Sequence, residues 1–455
     1  MSQTDIQPDI ATLPAARLAQ ALRQGQISAV EAAQAAIERI ERLDGPINAV
    51  VVRDFDRALI AAQEADLALA RGERGALLGV PMTVKEAFDV EGLPTNWGSP
   101  AFSGYVADVD AVAVARLKGA GAVILGKTNV APMLGDWQSD NAVYGRTNNP
   151  FDLGRTPGGS SGGSAAALAS GMTPLEFGSD IGGSIRVPSS FCGLYGHQPT
   201  FELVPSRGHG AGGLRGAPVA LGVVGPMART AEDLALALEV TAGPDVLEAK
   251  GYRARLAAPR HESLADYRVL LLDDHPLART DSEIRQALGA AAESLESAGG
   301  QVTRHSDLLP NLAAGHEIYL QMLSAVTSRD RPDPRLNVNQ WLAAVDAQWE
   351  FKQRWAALFE EIDIVLAPCF GVPAFVHSMD VRFSERVHVI DGDVTPYGAQ
   401  IAWPGMATFP GLPATALPIG RTRGGLPIGA QAIGGHLEDR TTIAFAGLLG
   451  QMLNT

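Results

Sequence analysis

The sequence predicts an α/β protein, a central mixed, largely parallel twisted sheet covered by helices. Three observations predict it. Helical stretches alternate with short apolar runs and loops along the chain, the order from which a sheet with crossover helices is built. The 455 residues are 46% hydrophobic and 19% charged, the composition of a compact enzyme with a substantial core and not of a disordered or fibrous chain. No repeat of about 20–50 residues and no low-complexity tract interrupts this order, which sets solenoids aside.

The N-terminal part reads as helices. Ser28 to Glu31 form a capping box, and Val30, Ala33, Ile37 and Ile40 then recur at helical spacing. Residues 55 to 71 repeat the pattern with alanine-rich, mixed-charge sequence. Gly79 to Lys85 reads as a short buried strand with Lys85 at its end. A helix over Ala111 to Gly121 leads into a strand from Ala122 to Gly126. Further on, the strand Val269 to Leu272, a capped helix opening at Thr280 to Glu283 and the strand Gln301 to Thr303 make a βαβ-like unit. Ile362 to Pro368 supplies one more core strand. Residues 304 to 360 and 371 to 405 are weakly periodic and are expected to be helices and loops over the site.

With 36 basic against 50 acidic residues the formal net charge is -14, which argues against an electrostatic grip on nucleic acid or on an anionic membrane. Small-molecule chemistry is favoured. The stretch Met1 to Gln7 has neither a basic nor an apolar leader region, and no run approaches 18 apolar residues, so a cytoplasmic protein is expected. Cys192 and Cys369 make no disulfide framework, and no Cys or His pair stands at zinc-ligand spacing. Cys192, in the apolar setting Ser190 to Leu194, reads as a packing cysteine and not as a nucleophile.

Chemistry concentrates between Arg155 and Gly196, where two glycine–serine loops, Pro157 to Ser164 and Ser179 to Arg186, flank the helix-forming stretch Ala165 to Gly171. The first loop feeds a helix N-terminus, whose free N–H groups favour negative charge. In the second, Gly182 and Gly183 directly precede Ser184, so consecutive N–H groups can converge as an oxyanion hole. A linker reading fails because apolar, structured runs border both sides. A phosphate cradle also fits poorly, since neither loop contains a lysine or has the spacing of a nucleotide motif. A serine nucleophile needs a base. His197 lies close in sequence but reads as a surface or core residue, whereas Lys85, ending an apolar strand, can serve if burial brings it towards neutrality.

These segments resemble the amidase signature family: Gly79 to Lys85, Gly126 to Asn129, Tyr144 to Pro150, Pro157 to Gly163 and Ser179 to Arg186, in that order. The resemblance continues through Ile47 to Ala49, Gly225 to Thr230, Ala367–Pro368, Gly411 to Pro413, Gly425 to Gly429 and Gln431. It implies a single amidase-signature domain over residues 1–455, with an N-terminal helical part (1–75), a signature core (76–235) and a C-terminal part (236–455) whose residues 304–405 cover the substrate. It further implies hydrolysis of a carboxylic amide by a Ser–Ser–Lys triad with no cofactor or metal. Ser184 is then the nucleophile, Ser160 the bridging serine and Lys85 the base. The oxyanion-hole N–H groups belong to Ile181, Gly182, Gly183 and Ser184. Asp180, Arg186 and Ser161 support the loop, and Leu134 lines the substrate's leaving side. A small-molecule amide is the implied partner, to a monomer or homodimer.

The chain departs from the family pattern at Gly196 to Thr200, which reads Gly-His-Gln-Pro-Thr instead of Gly-Leu-Lys-Pro-Thr. It departs again at Glu86, where aspartate is common, and in the loop after Asn129. The family also holds the glutaminase component of a tRNA-dependent amidotransferase, but Val187 stands where that subfamily usually has glutamine. A third reading, a non-catalytic binding member, requires a decayed triad, and this one is intact.

Overall fold

The computed structural model describes residues 10–214, 216–328 and 336–454. Residues 1–7, on which the leader expectation rests, and 329–335, within the expected covering region, lie outside the described residues.

Ser28 caps the helix Ala29–Ile47 as its box predicts: Ser28 Oγ accepts the Glu31 N–H at 3.1 Å, and the Ser28 N–H donates to Glu31 Oε2 at 2.8 Å. The first half of this helix buries alanines (Ala32, Ala33, Ala36), and the buried face of the next helix, Phe55–Ala70, is all alanine (Ala58, Ala62, Ala65, Ala68), so the two approach closely. They cover a three-stranded sheet in which Val123–Thr128 runs between Val50–Arg53, antiparallel, and Pro81–Lys85, parallel. Lys85 therefore stands at the end of a wholly buried strand, as expected.

The larger sheet has eight strands in the order Gln301–Thr303, Arg268–Leu271, Ile364–Pro368, Pro427–Ile433, Ala414–Arg421, Tyr195–Gln198, Val223–Ala228, Leu175–Asp180. It is mixed, as expected, but not largely parallel. Only the two pairings at the Gln301 edge are parallel, and the other five are antiparallel. The physical reason lies in the connections. A full helix, Ser282–Ser297, carries the chain from Arg268–Leu271 to Gln301–Thr303 and forces a parallel crossover, whereas the tight turn closed by Thr422 N–H to Leu426 O makes Ala414–Arg421 and Pro427–Ile433 a hairpin. The helix cap also differs from expectation. Asp281, not Thr280, accepts the Glu283 N–H, at 2.8 Å, while Thr280 is buried.

Residues 304 to 360 do form helices, Leu312–Thr327 and Val338–Glu361, but 371 to 405 contains the strand pair Val387–Ile390 and Asp393–Pro396, where only helices and loops were expected. Burial alternates along Val387–Ile390, but the outward side chains Val387 and Val389 are apolar and the inward His388 is polar, so the sequence does not mark which face is covered. Among the described residues no helix is long and apolar enough to cross a membrane.

Candidate active site

Lys85 Nζ lies 2.7 Å from Ser160 Oγ and 2.9 Å from Ser179 Oγ, and all three residues are buried. Burial lowers the lysine from 10.5 to about 7, with the Asp180 carboxylate pulling the other way. A neutral amine has one lone pair and two N–H bonds, so it can accept the Ser160 hydroxyl proton while donating to Ser179 Oγ. Ser179 is a partner that sequence reasoning missed. Strand alternation gave no signal for it, since Ser179 stands three residues after Glu176, the partner of Thr83, on Leu175–Asp180, and strict alternation turns the two to opposite faces. Glu176 is itself fully buried among the hydroxyls of Thr83, Ser164 and Thr128, and burial raises its carboxyl to about 8 against those hydrogen bonds.

Ser160 is reached through a cis Gly159–Ser160 peptide, after which the helix Gly162–Ala169 begins three residues earlier than expected. The Ser161 N–H donates to Ser184 O at 3.2 Å, which joins the two glycine–serine loops next to Ser160, and Ser161 Oγ reaches Ser179 O at 3.4 Å. Ser184 is 6% exposed, between Gly183 and the short helix Arg186–Phe191.

The second loop is fixed by its carbonyls. Ile181 O accepts from Tyr319 Oη at 2.7 Å, Gly182 O from Trp137 Nε1 at 2.8 Å, Gly183 O from the Val187 N–H at 2.7 Å and Ser184 O from Ser161. With each carbonyl turned towards the protein, the N–H groups of Ile181, Gly182 and Ser184 find no acceptor among the described residues. That is the donor arrangement an oxyanion needs. Gly183 corrects the expected set of four. Its N–H donates to Asp180 Oδ1 at 2.8 Å and so is not free, and its φ of +95° instead makes the turn that brings Ser184 forward.

Asp180 and Arg186 form a buried ion pair at 2.9 Å. Burial raises the Asp180 carboxyl, but the Arg186 charge and the N–H donors of Ile185 and Gly183 outweigh it and hold it below its usual range. Arg186 also donates to Thr408 Oγ1 at 2.8 Å, to Pro404 O at 3.0 Å and to Gln431 Oε1 at 2.6 Å, so the Ser184 loop is braced by the C-terminal segment. Leu134 lies in the turn Pro132–Leu134, half-buried and with φ of +58°, and the Ala131 N–H of that turn reaches Ser160 O at 3.4 Å. Glu86 uses its extra methylene to accept the Asn96 and Trp97 N–H groups, at 2.7 and 2.9 Å, and so fixes the neighbouring loop.

His197 lies apart from this constellation. It is buried in the core between Thr415 Oγ1, at 2.9 Å, and Asp439 Oδ1, at 3.1 Å. Cys192 and Cys369 are buried, and burial pushes both thiols up, away from the thiolate a nucleophile requires.

The Amidase family model matches residues 31–333 and 330–443. The chain is 31% identical to one of the subunits of glutamyl-tRNA(Gln) amidotransferase from Chromohalobacter salexigens, over 94% of each chain. It is 30% identical to fatty-acid amide hydrolase 2 of Homo sapiens, over 94% of this chain and 87% of that one. The solved structure of a bacterial aryl acylamidase of the amidase signature enzymes superposes with a TM-score of 0.83 at 26% identity, covering 97% of this chain and 96% of that one. Fold and site together define an amide-hydrolysing enzyme. The chain belongs to the amidase signature family.

Proposed function

We propose that this protein hydrolyses a small-molecule carboxylic amide to an acid and ammonia or an amine through an acyl-enzyme on Ser184. One observation carries the reading: a wholly buried lysine, brought to about 7, sits 2.7 Å from the hydroxyl of a serine whose neighbour is bonded to the Ser184 main chain. Neutral Lys85 takes the Ser160 proton as Ser160 takes that of Ser184, and Ser184 Oγ attacks the carbonyl carbon. The N–H groups of Ile181, Gly182 and Ser184 hold the oxyanion. On collapse the relay delivers the proton to the departing nitrogen, and water repeats the sequence to release the acid. The helix Leu312–Thr327 and the segment at Ile401 cover the acyl side, with Tyr319 touching the loop at Ile181 and Ile401 packing at Gly182. A hydrolysis screen of aliphatic, aryl and peptide amides tests this reading. Turnover of at least one class that disappears in Ser184→Ala supports it, and turnover retained in Ser184→Ala removes Ser184 from the mechanism.

The likeness to glutamyl-tRNA(Gln) amidotransferase chains favours a second reading, a glutaminase that works within a larger complex. Val187 speaks against it, being wholly buried against Gly183 instead of offering a polar group to a substrate. Glutamine hydrolysis measured alone and with candidate partner proteins separates the two.

A further inference from the structure

The loop after Tyr195–Gln198 passes over the end of the Lys85 strand and is pinned there. Gly208 O accepts the Asp89 N–H at 2.8 Å, and Arg207 O accepts the Val112 N–H at 3.0 Å. Only glycine fits at 208, with φ of +87° and a Cβ position 2.4 Å from Ala111 Cα. The next residue, His209, sets its ring edge-on to Phe88, 4.9 Å between centroids, and 5.1 Å from Trp97. Phe88 is tied to Lys85 by its N–H on Lys85 O at 3.1 Å, and Trp97 O accepts the Met133 N–H at 2.8 Å, beside Leu134. His209 therefore stands between the lysine and the turn expected to line the leaving side. Its Nε2 is buried, with no partner among the described residues. A buried ring nitrogen left unpaired is costly unless something else completes it.

We infer that His209 is a substrate-positioning residue, whose Nε2 accepts a hydrogen bond from the N–H of the amide being cleaved. The inference rests on the amidase reading above: the leaving nitrogen receives its proton from the Ser160–Lys85 relay, so it is the substrate atom brought nearest to Lys85, and its N–H is the donor within reach of the ring. Burial, reinforced by the Lys85 charge, lowers the imidazole to about 3, so the ring stays neutral and carries one acceptor nitrogen, a role left to the unpartnered Nε2. The site thus selects primary and singly substituted amides over esters and over doubly substituted amides, which carry no N–H.

The test compares an amide and an ester of one acyl group in the wild type, in His209→Phe, which keeps the ring and removes the acceptor, and in His209→Gln, which restores one. His209→Phe is expected to lower kcat/KM for the amide about tenfold, the worth of one hydrogen bond, while the ester stays within about twofold. His209→Gln recovers most of the amide rate. Amide and ester falling together, or neither moving, overturns the inference, because a merely structural role does not distinguish them. Ser184→Ala measured alongside tests the underlying reading separately, since that variant loses both substrates if the acyl-enzyme reading holds.

Discussion

Replacing Lys85 by methionine should abolish activity and yet stabilise the protein at neutral pH. Lowered from 10.5 to about 7, the buried lysine lets the unfolded chain bind a proton between those values that the folded chain does not. Folding therefore loses stability as pH falls from about 10.5 to about 7 and loses no more below that. At about 1.4 kcal/mol per pH unit the whole window amounts to about 5 kcal/mol. The variant escapes this cost but forfeits the hydrogen bonds to Ser160 and Ser179, about 1 kcal/mol each. A net gain of about 3 kcal/mol near pH 7 follows, or about 3 °C in Tm for a chain of this length. Melting curves of wild type and Lys85→Met between pH 6 and 10 read it directly. The variant leads at pH 6.5, and the lead vanishes or reverses by about pH 9.5. A difference that is constant across this range refutes the reasoning, since Lys85 then titrates as an ordinary exposed lysine.

Asp180→Asn should destabilise by about 3–5 kcal/mol in denaturant titration, because Arg186 is left buried without its counter-charge. Tyr319→Phe removes the hydroxyl that turns the Ile181 carbonyl, and a fall of about tenfold in kcat with little change in KM is expected in steady-state assays. His197→Ala should lower Tm without altering the pH dependence of kcat/KM, as its partners Thr415 and Asp439 belong to the core. An alkaline rise abolished in that variant transfers the base role to histidine. Activity should be complete after exhaustive EDTA treatment, as the proposed mechanism assigns the oxyanion to backbone donors, and restoration of a chelated, inactive sample by zinc contradicts this.

Much of the site was legible because its chemistry is local. The glycines before Ser184, the lysine closing an apolar strand and the box at Ser28 each show within a few residues. What escaped depends on pairs far apart in the chain. Tyr319 reaches Ile181 across 138 positions, and Gln431 reaches Arg186 across 245, with nothing in the local pattern of either to announce it. The Gly183 N–H, expected in the oxyanion hole, was claimed by Asp180 three residues earlier, a competition that backbone geometry alone decides. Strand direction failed for a related reason. Apolar runs mark buried strands, but whether neighbours run parallel depends on the intervening connection, and the hairpin at 422–426 was not read as one. His209, in a glycine-rich loop, gave no sign in sequence of standing beside Lys85.

Labelling with a fluorophosphonate probe across pH, followed by mass mapping of the modified peptide, tests the central claim most directly. The account predicts a single adduct on Ser184. Its rate of formation should rise through an ionisation near 7 in the wild type, collapse in Lys85→Met and be absent in Ser184→Ala. An adduct on Cys192 or any other residue, or labelling undiminished in Ser184→Ala, contradicts it.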